Sequence, residues 1–346
     1  SKFYRRRGSR LGDIVSAQPQ FVGPPSRYYA DSGYADFKIA QAARASIVYT
    51  ASNDGMVHAF NATTGQEAWA YIPSFVLPRL YTLADKSYAD KHQYSVEGTP
   101  IAGDICPKAP TQTCSASEWR TILVGGLNGG GTGYYALDVT DPANPALLWE
   151  FTHPNMGYSF GKPQITKLTN GTWVVLLTSG YNNCPRTVDP ACVKNGSGDG
   201  LGYLYVLNAS TGAQMVGSPI STGAGAVNSP SGFGQITAQA DSNNVTRRVY
   251  GGDLLGNLWR FSIESGSFGV HKLAVFKDST GALQPITVRP QVTTINGSPV
   301  VYVGTGRYLG TSDVGGSPKN SFYAVKDDLT TTTTYDNPRT YTTFIG

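Results

Sequence analysis

Along this chain the apolar positions fall in short runs that end in small residues, at 47–51, 121–125, 173–178, 248–252 and 300–304. Runs of that length, bounded by Gly, Pro, Asn and Asp, read as β-strands. A turn follows each run, and then a strand led by Gly, or by Ser321-Phe322 in the last copy. These strands alternate or run apolar at 55–60, 133–138, 202–207, 256–261 and 321–325. A short signature precedes each pair: Gln18-Pro19-Gln20-Phe21, Thr99-Pro100-Ile101, Lys162-Pro163-Gln164-Ile165, Phe233-Gly234-Gln235-Ile236 and Arg289-Pro290-Gln291-Val292. The signatures are unequally spaced. That argues against a solenoid, whose neighbours stack at constant pitch, and for loop insertions of unequal length.

In the first three copies a turn at Thr64-Gly65, Asp141-Pro142 or Thr211-Gly212 leads into a further strand, at 66–71, 147–151 and 213–216. Each unit therefore has four strands. Four-stranded antiparallel units that cannot bury their faces alone predict an all-β fold, a β-propeller with five blades visible. Residues 1–346 are read as one propeller domain with long loop insertions at about 75–97 and 184–199, and such insertions on a rigid scaffold are where specificity resides. The polar run 330–335, followed by Tyr341-Thr342-Thr343-Phe344-Ile345, is a candidate final strand for closing the ring.

Composition agrees. Of 346 residues only 14% are charged, while 41 Gly, 21 Pro and 21 Tyr suit many turns and short strands and exclude a helical bundle. The net charge is +4, and apart from Arg5-Arg6-Arg7 the basic residues are scattered, so no nucleic-acid footprint emerges. No apolar run reaches the roughly 18 residues of a membrane helix. The polar start Ser1-Lys2-Phe3-Tyr4 carries no signal-peptide core and reads as a mature or excised fragment. The cysteines come as Cys106 with Cys114 and Cys184 with Cys192, each pair in a Pro/Ser/Thr-rich loop. Zinc-binding cysteines usually stand closer together and no histidine lies near either pair, so two local disulfides and a periplasmic or extracellular address are expected.

Three stretches carry a family resemblance. Tyr49-Thr-Ala-Ser-Asn-Asp54-Gly55-Met-Val-His58-Ala-Phe60 with its later Thr64-Gly65, then Gly251-Gly252-Asp253-Leu-Leu-Gly256-Asn257-Leu-Trp259-Arg260-Phe261, then Gly304-Thr305-Gly306-Arg307-Tyr308-Leu309-Gly310 before Ser321-Phe322-Tyr323, together resemble the carboxy-terminal propeller of the PilC/PilY family of type IV pilus tip proteins. The resemblance implies a modified propeller, often described as seven-bladed, forming the carboxy-terminal domain of a larger protein. It also implies a pilus-tip or cell-surface location and roles in pilus assembly, in opposing retraction, and in adhesion and surface sensing. Implied partners are minor pilins or the tip complex, and host surfaces or extracellular matrix; no Arg-Gly-Asp motif is present.

Some family members carry an EF-hand-like calcium loop where this chain has Asp241-Ser242-Asn243-Asn244-Val245. Calcium takes six to eight oxygens, but this loop is short, holds one carboxylate and places Arg247 where a final acidic ligand is expected. An Asx-type turn is the expected reading, with Asp241 and Asn243 the candidate ligands if calcium binds. A second oxygen-rich loop, Asn195-Gly196-Ser197-Gly198-Asp199-Gly200, is read as an ordinary flexible loop.

Two other function classes compete. A quinoprotein dehydrogenase shares the blade pattern but requires a vicinal cysteine pair, and here all four cysteines are separated. A carbohydrate-cleaving or carbohydrate-binding propeller is the third class, yet Glu67, Glu97, Glu118, Glu150 and Asp104 cannot be paired as catalytic carboxylates from sequence. His58, His92, His153 and His271 show no ligand spacing, and His58 is expected to be a satisfied core residue. Asp54, Asp104 and Asp253 are read as turn-fixing side chains rather than an axial ring of carboxylates. Trp69, Trp149 and Trp259, with Trp119 and Trp173, are read as packing between blades. The reading is a noncatalytic extracellular interaction module.

Overall fold

The computed structural model describes residues 4–5, 8–193, 197–264, 267–315 and 318–336. Within them the sequence repeat becomes five antiparallel sheets. The first contains β1 (Gln20–Val22), β2 (Ile47–Ser52), β3 (Met56–Asn61) and β4 (Glu67–Tyr71), in that order. The second contains β5 (Ile101–Ile105), β6 (Arg120–Gly126), β7 (Tyr134–Asp138) and β8 (Ala146–Phe151). The third contains β9 (Gln164–Lys167), β10 (Trp173–Thr178), β11 (Tyr203–Asn208) and β12 (Ile220–Ser221). The fourth contains β13 (Ile236–Ala240), β14 (Thr246–Gly252), β15 (Asn257–Glu264) and β16 (Ser267–Val275), and the fifth β17 (Gln291–Ile295), β18 (Ser298–Gly304) and β19 (Phe322–Lys326). Every signature opens the first strand of its sheet. These first strands neighbour one another in the order β1, β5, β9, β13, β17, which makes them the inner strands of successive blades.

The apolar runs of the middle strands have a direct physical reason. A strand side chain points alternately to the two faces of its sheet, and a blade has a neighbour on each face. On β6, Ile122 and Val124 join a core with Trp173, Val175 and Leu177 of the third blade, while Leu123 between them joins a core with Ile47, Tyr49 and Val57 of the first. The same division puts Val174 and Leu176 with Val249 and Phe261 of the fourth blade, and Tyr250 and Leu258 with Val301 and Val303 of the fifth. Four inter-blade cores result, and each fully buried aliphatic side chain contributes roughly 1.5–3 kcal/mol.

Four expectations are corrected. Among the described residues the fifth blade has three strands and not the four expected of every unit. The third blade's outer strand is β12 rather than 213–216: Gly217 at φ 87 and Pro219 break the run, so Gln214 keeps one isolated bridge to Leu207 and pairing resumes at Ile220. Thr330 to Tyr335 is not only a polar turn: it runs into a short strand, β20 (Tyr335–Asp336), parallel to β16 on the fourth blade. The candidate strand 341–345 lies outside the described residues. Asp104 sits within β5 and not in a turn; its carboxylate accepts the hydroxyls of Tyr34 at 2.7 Å and Thr121 at 2.7 Å.

The antiparallel meander sorts the loops. Connections between blades, and those from second to third strands, emerge at one end; those from first to second and third to fourth strands emerge at the other. The largest loop at the second end is residues 23–46, between β1 and β2, which the sequence pattern did not single out. It carries the helix α1 (Tyr34–Ala40), entered through Gly33 at φ 71, where a Cβ would lie 2.3 Å from the Cys114 carbonyl oxygen. Tyr34 and Phe37 of this segment pack on Trp119, and Tyr29 lies between Trp119 and Trp173 at centroid distances of 6.3 and 5.3 Å. Beyond them, Lys167 Nζ pairs with Asp31 at 2.6 Å and the Ala30 amide donates to Asn243 Oδ1 at 3.1 Å. The segment thus straps the first blade to the second, third and fourth.

Candidate functional surface and axial cavity

Both insertions expected from sequence emerge at the first end. Residues 75–97 contain two 3-10 segments, Ser74–Ala84 and Tyr88–Asp90, which lie down on the blades rather than project. A Cβ on Gly55, itself at φ 92, would lie 2.5 Å from Leu80 Cδ2, so the second-to-third-strand turn of blade one needs a glycine to seat this insertion. Glu150 holds its start, accepting the Tyr71 hydroxyl and the Ser74 amide at 2.6 Å each, and the Arg79 guanidinium donates to the Gly130 carbonyl. Leu77 and Tyr81 are left outside, 53% and 77% exposed, so they are available to a partner rather than to the core.

The amino-terminal residues 8–17 are threaded into the same end. The Gly12 amide donates to Asp54 Oδ2 at 2.8 Å, Asn53 Nδ2 to Asp13 Oδ2 at 2.7 Å, and Ser16 Oγ to Glu97 Oε1 at 2.7 Å. His92 Nε2 lies 3.0 Å from Asp13. Burial pushes the Glu97 carboxyl above its ordinary range despite the bond from Ser16. Next to this cluster, His58 is buried with Nδ1 2.6 Å from Glu67 Oε1 and Nε2 3.1 Å from Asp54, an arrangement that suits an imidazolium donating from both nitrogens. Burial pulls its pKa down, but the two hydrogen-bonded carboxylates outweigh burial and hold it above the ordinary value. His58 is therefore the satisfied core residue expected; its partner Glu67 lies across the hairpin, next to a register shift that local pattern does not reveal.

The second insertion is closed by the Cys184–Cys192 disulfide, and the Cys106–Cys114 disulfide closes a loop at the opposite end. A cross-link over so short a loop stabilises by about 2–3 kcal/mol through the unfolded chain. Asn183 Nδ2 donates to the carbonyls of Asn155 at 3.0 Å and Leu201 at 2.8 Å, so the loop base is anchored to the neighbouring inter-blade connection. Of the second oxygen-rich loop, Asn195 and Gly196 lie outside the described residues. Asp199 is held by the Leu201 amide at 2.9 Å, by Asn155 Nδ2 at 2.8 Å and by the Tyr203 hydroxyl.

The other singled-out residues divide. Asp253 fixes its turn through the amides of Leu255 and Asn257, and also accepts the indole N–H of Trp259 at 2.9 Å. Trp69 and Trp149 do bridge blades, donating to the carbonyls of Pro142 and Ala209 at 2.9 Å. Trp259 packs between the third and fourth blades as expected but spends its N–H inside its own blade, and Trp119 gives its own to Ser32 of the strap.

Asp241 and Asn243 occupy the turn between β13 and β14. Asp241 Oδ1 accepts the amides of Asn243 and Val245 at 2.9 Å, Asn244 takes φ 61, and Asn243 Oδ1 accepts the Ala30 amide. Oxygens facing N–H dipoles are poorly placed for a cation, and Arg247 is turned to Glu264, 3.4 Å away. The loop as built fits an Asx turn and does not fit a calcium cage. Among the described residues, no group of three or more His, Cys, Asp or Glu side chains is placed to hold a metal ion.

Along the axis the inner strands and the strap line a half-open cavity of about 630 Å³. Its wall includes Gln20, Lys162, Gln164 and Arg289 from the signatures, Arg27 from the strap and Asp241 from the turn. Toward the first end a smaller space of about 210 Å³ continues past Gln18, Thr99 and Lys162.

Comparison with known proteins bears on this architecture. Residues 11–270 match the family model described as the PilY1 beta-propeller domain. The chain is 38% identical over 343 residues to a type IV pilus biogenesis factor PilY1 homolog of Xylella fastidiosa, covering 94% of this chain and 25% of the relative. It is 34% identical over 367 residues to the type IV pilus biogenesis factor PilY1 of Pseudomonas aeruginosa PAO1, covering 94% and 29%. The chain thus spans about a quarter of the length of these relatives. The crystal structure of the Pseudomonas aeruginosa PilY1 C-terminal domain superposes with a TM-score of 0.70 at 30% identity, over 90% of this chain and 64% of that one.

Proposed function

The chain belongs to the PilY1 β-propeller family, and from that premise we propose that it is the noncatalytic recognition module of a type IV pilus tip protein. In this reading residues 1–346 form one propeller domain of a longer protein, exported through the periplasm to the pilus tip or outer surface. It supports pilus assembly, restrains retraction and carries adhesion. Minor pilins or the tip complex are its partners, and host surfaces or matrix its outward targets.

One observation supports this most: both insertions gather at the same end of the blades, anchored at their bases and leaving Leu77 and Tyr81 exposed. A rigid scaffold with pre-ordered loops pays little entropy on binding, and exposed aromatic and aliphatic side chains on such loops are the usual anchors of an interface. The noncatalytic reading draws on His58, whose two ring nitrogens are both engaged, and on the cysteines, all four of which are in disulfides. The test is co-elution of the chain with soluble ectodomains of the minor pilins, in calcium and in chelator. A complex in both buffers that Leu77→Ser/Tyr81→Ser weakens is expected. Absence of a complex in either buffer overturns the pilin-docking role, and loss in chelator alone overturns the Asx-turn reading of the Asp241 loop.

A further inference from the structure

The first position of each signature stands at the entry to an inner strand, and in four of the five a following proline holds it extended, Gly234 taking that place after Phe233. Across the five repeats this position is Gln18, Thr99, Lys162, Phe233 and Arg289: two cations and no acid. Lys162 and Arg289 both line the axial cavity, and Arg27 reaches the same space from the strap. Arg289 is held by neutral groups, its Nε donating to Thr237 Oγ1 at 3.0 Å and a terminal nitrogen to Gln164 Oε1 at 2.8 Å, so its charge is positioned but not neutralised. Among the described residues none of these three cations is ion-paired with a carboxylate. Asp241 is the acidic residue in the wall, and its Oδ1 is turned to the amides of its own loop.

Partial burial first, and the nearby Arg289 charge second, hold the Lys162 ammonium below its ordinary value, as suits two like charges that line one space. Such an arrangement costs free energy in the empty protein, and an anion seated between the charges relieves it. Arg supplies a planar fork for two oxygens, and Lys a compact charge beside it. We propose that the axial cavity binds a ligand carrying an oxyanion group, held between Lys162 and Arg289 with Arg27 at the rim. A phosphate ester and the carboxylate of an acidic sugar share this chemistry, and about 630 Å³ accommodates either on a ring-sized body. The inference does not depend on the pilus reading.

The experiment titrates the chain with inorganic phosphate and, separately, with glucuronate, by calorimetry and thermal unfolding at constant ionic strength set with sodium chloride. A saturable rise in Tm with at least one oxyanion, and none with chloride, is expected. Phosphate alone assigns a phosphate ester, glucuronate alone an acidic sugar, and both a general oxyanion site. Lys162→Gln and Arg289→Gln should each weaken binding at least tenfold, while the unliganded Tm of Lys162→Gln is no lower than that of the parent chain. Arg289 is solvent-exposed, so Arg289→Gln carries the test even if Lys162→Gln does not fold. Equal responses to oxyanion and chloride, or unchanged binding in both variants, overturn the proposal.

Discussion

The indole N–H of Trp149, on the outer strand of the second blade, donates to the carbonyl of Ala209 in the third blade at 2.9 Å. Trp69 makes the equivalent bond from the first blade to Pro142 of the second, but from a half-buried position. Removing the donor from a buried bond leaves a carbonyl unsatisfied, at a cost of about 1–3 kcal/mol. Trp149→Phe should therefore lose about 1–3 kcal/mol in urea unfolding and Trp69→Phe clearly less, since water can replace the lost donor there. Equal losses would contradict this account of blade contact.

Asp327 joins the fifth blade to the fourth. Its carboxylate pairs with the buried guanidinium of Arg260 and accepts the Tyr250 hydroxyl at 2.7 Å, while Arg260 also donates to the Thr330 carbonyl at 2.7 Å. Deleting one partner strands a charge out of water, which costs about 3–5 kcal/mol, whereas replacing both by apolar groups is far less costly. Asp327→Ala should be strongly destabilised and Arg260→Met/Asp327→Leu should recover much of the loss. A double-mutant cycle with no coupling between the positions counts against the pair.

The His58 cluster predicts a pH dependence with a definite sign. A histidine held above its ordinary value of 6.5 in the folded state contributes stability that is complete below that value and is lost as pH rises through the folded one. Asp54 runs the other way: burial raises its pKa, but the bonds from His58 and Gly12 hold it below 3.8, so its contribution is lost only as pH falls through that lowered value. Stability from this cluster is thus greatest between pH about 4 and 6.5. Unfolding free energies from pH 4 to 9 should decline on the alkaline side for the parent chain and decline less for His58→Gln; parallel curves would refute the assignment.

What could be read from the sequence was what local pattern encodes. The five signatures and the strand pairs behind them, such as 47–51 with 55–60, follow one another in chain order, and alternating burial imprints them directly. The strap could not be read in this way. Tyr34 finds Asp104 and Trp119, Lys167 finds Asp31, and Asn243 finds Ala30 across 213 residues, none of which leaves a periodic trace. Asp104 looks like a turn residue in sequence for that reason; Trp259 does pack between the third and fourth blades as its position suggests, but its N–H serves a carboxylate of its own blade, which sequence position does not reveal. The axial cations were written in the repeat itself, but their meaning emerges only when equivalent positions of different blades are brought to one axis.

The strap also dictates an order of events. Residues 23–46 emerge from the ribosome early, yet the turn that receives the Ala30 amide is made some two hundred residues later. Contacts of such high sequence separation form late, because the closure entropy is repaid only once both ends are structured. Tyr34 and Phe37 therefore stay uncovered until the second blade supplies Trp119, and Tyr29 until the third supplies Trp173, a sticky interval for a nascent or translocating chain. The last piece of the first blade to settle is the one that records that the fourth blade is in place.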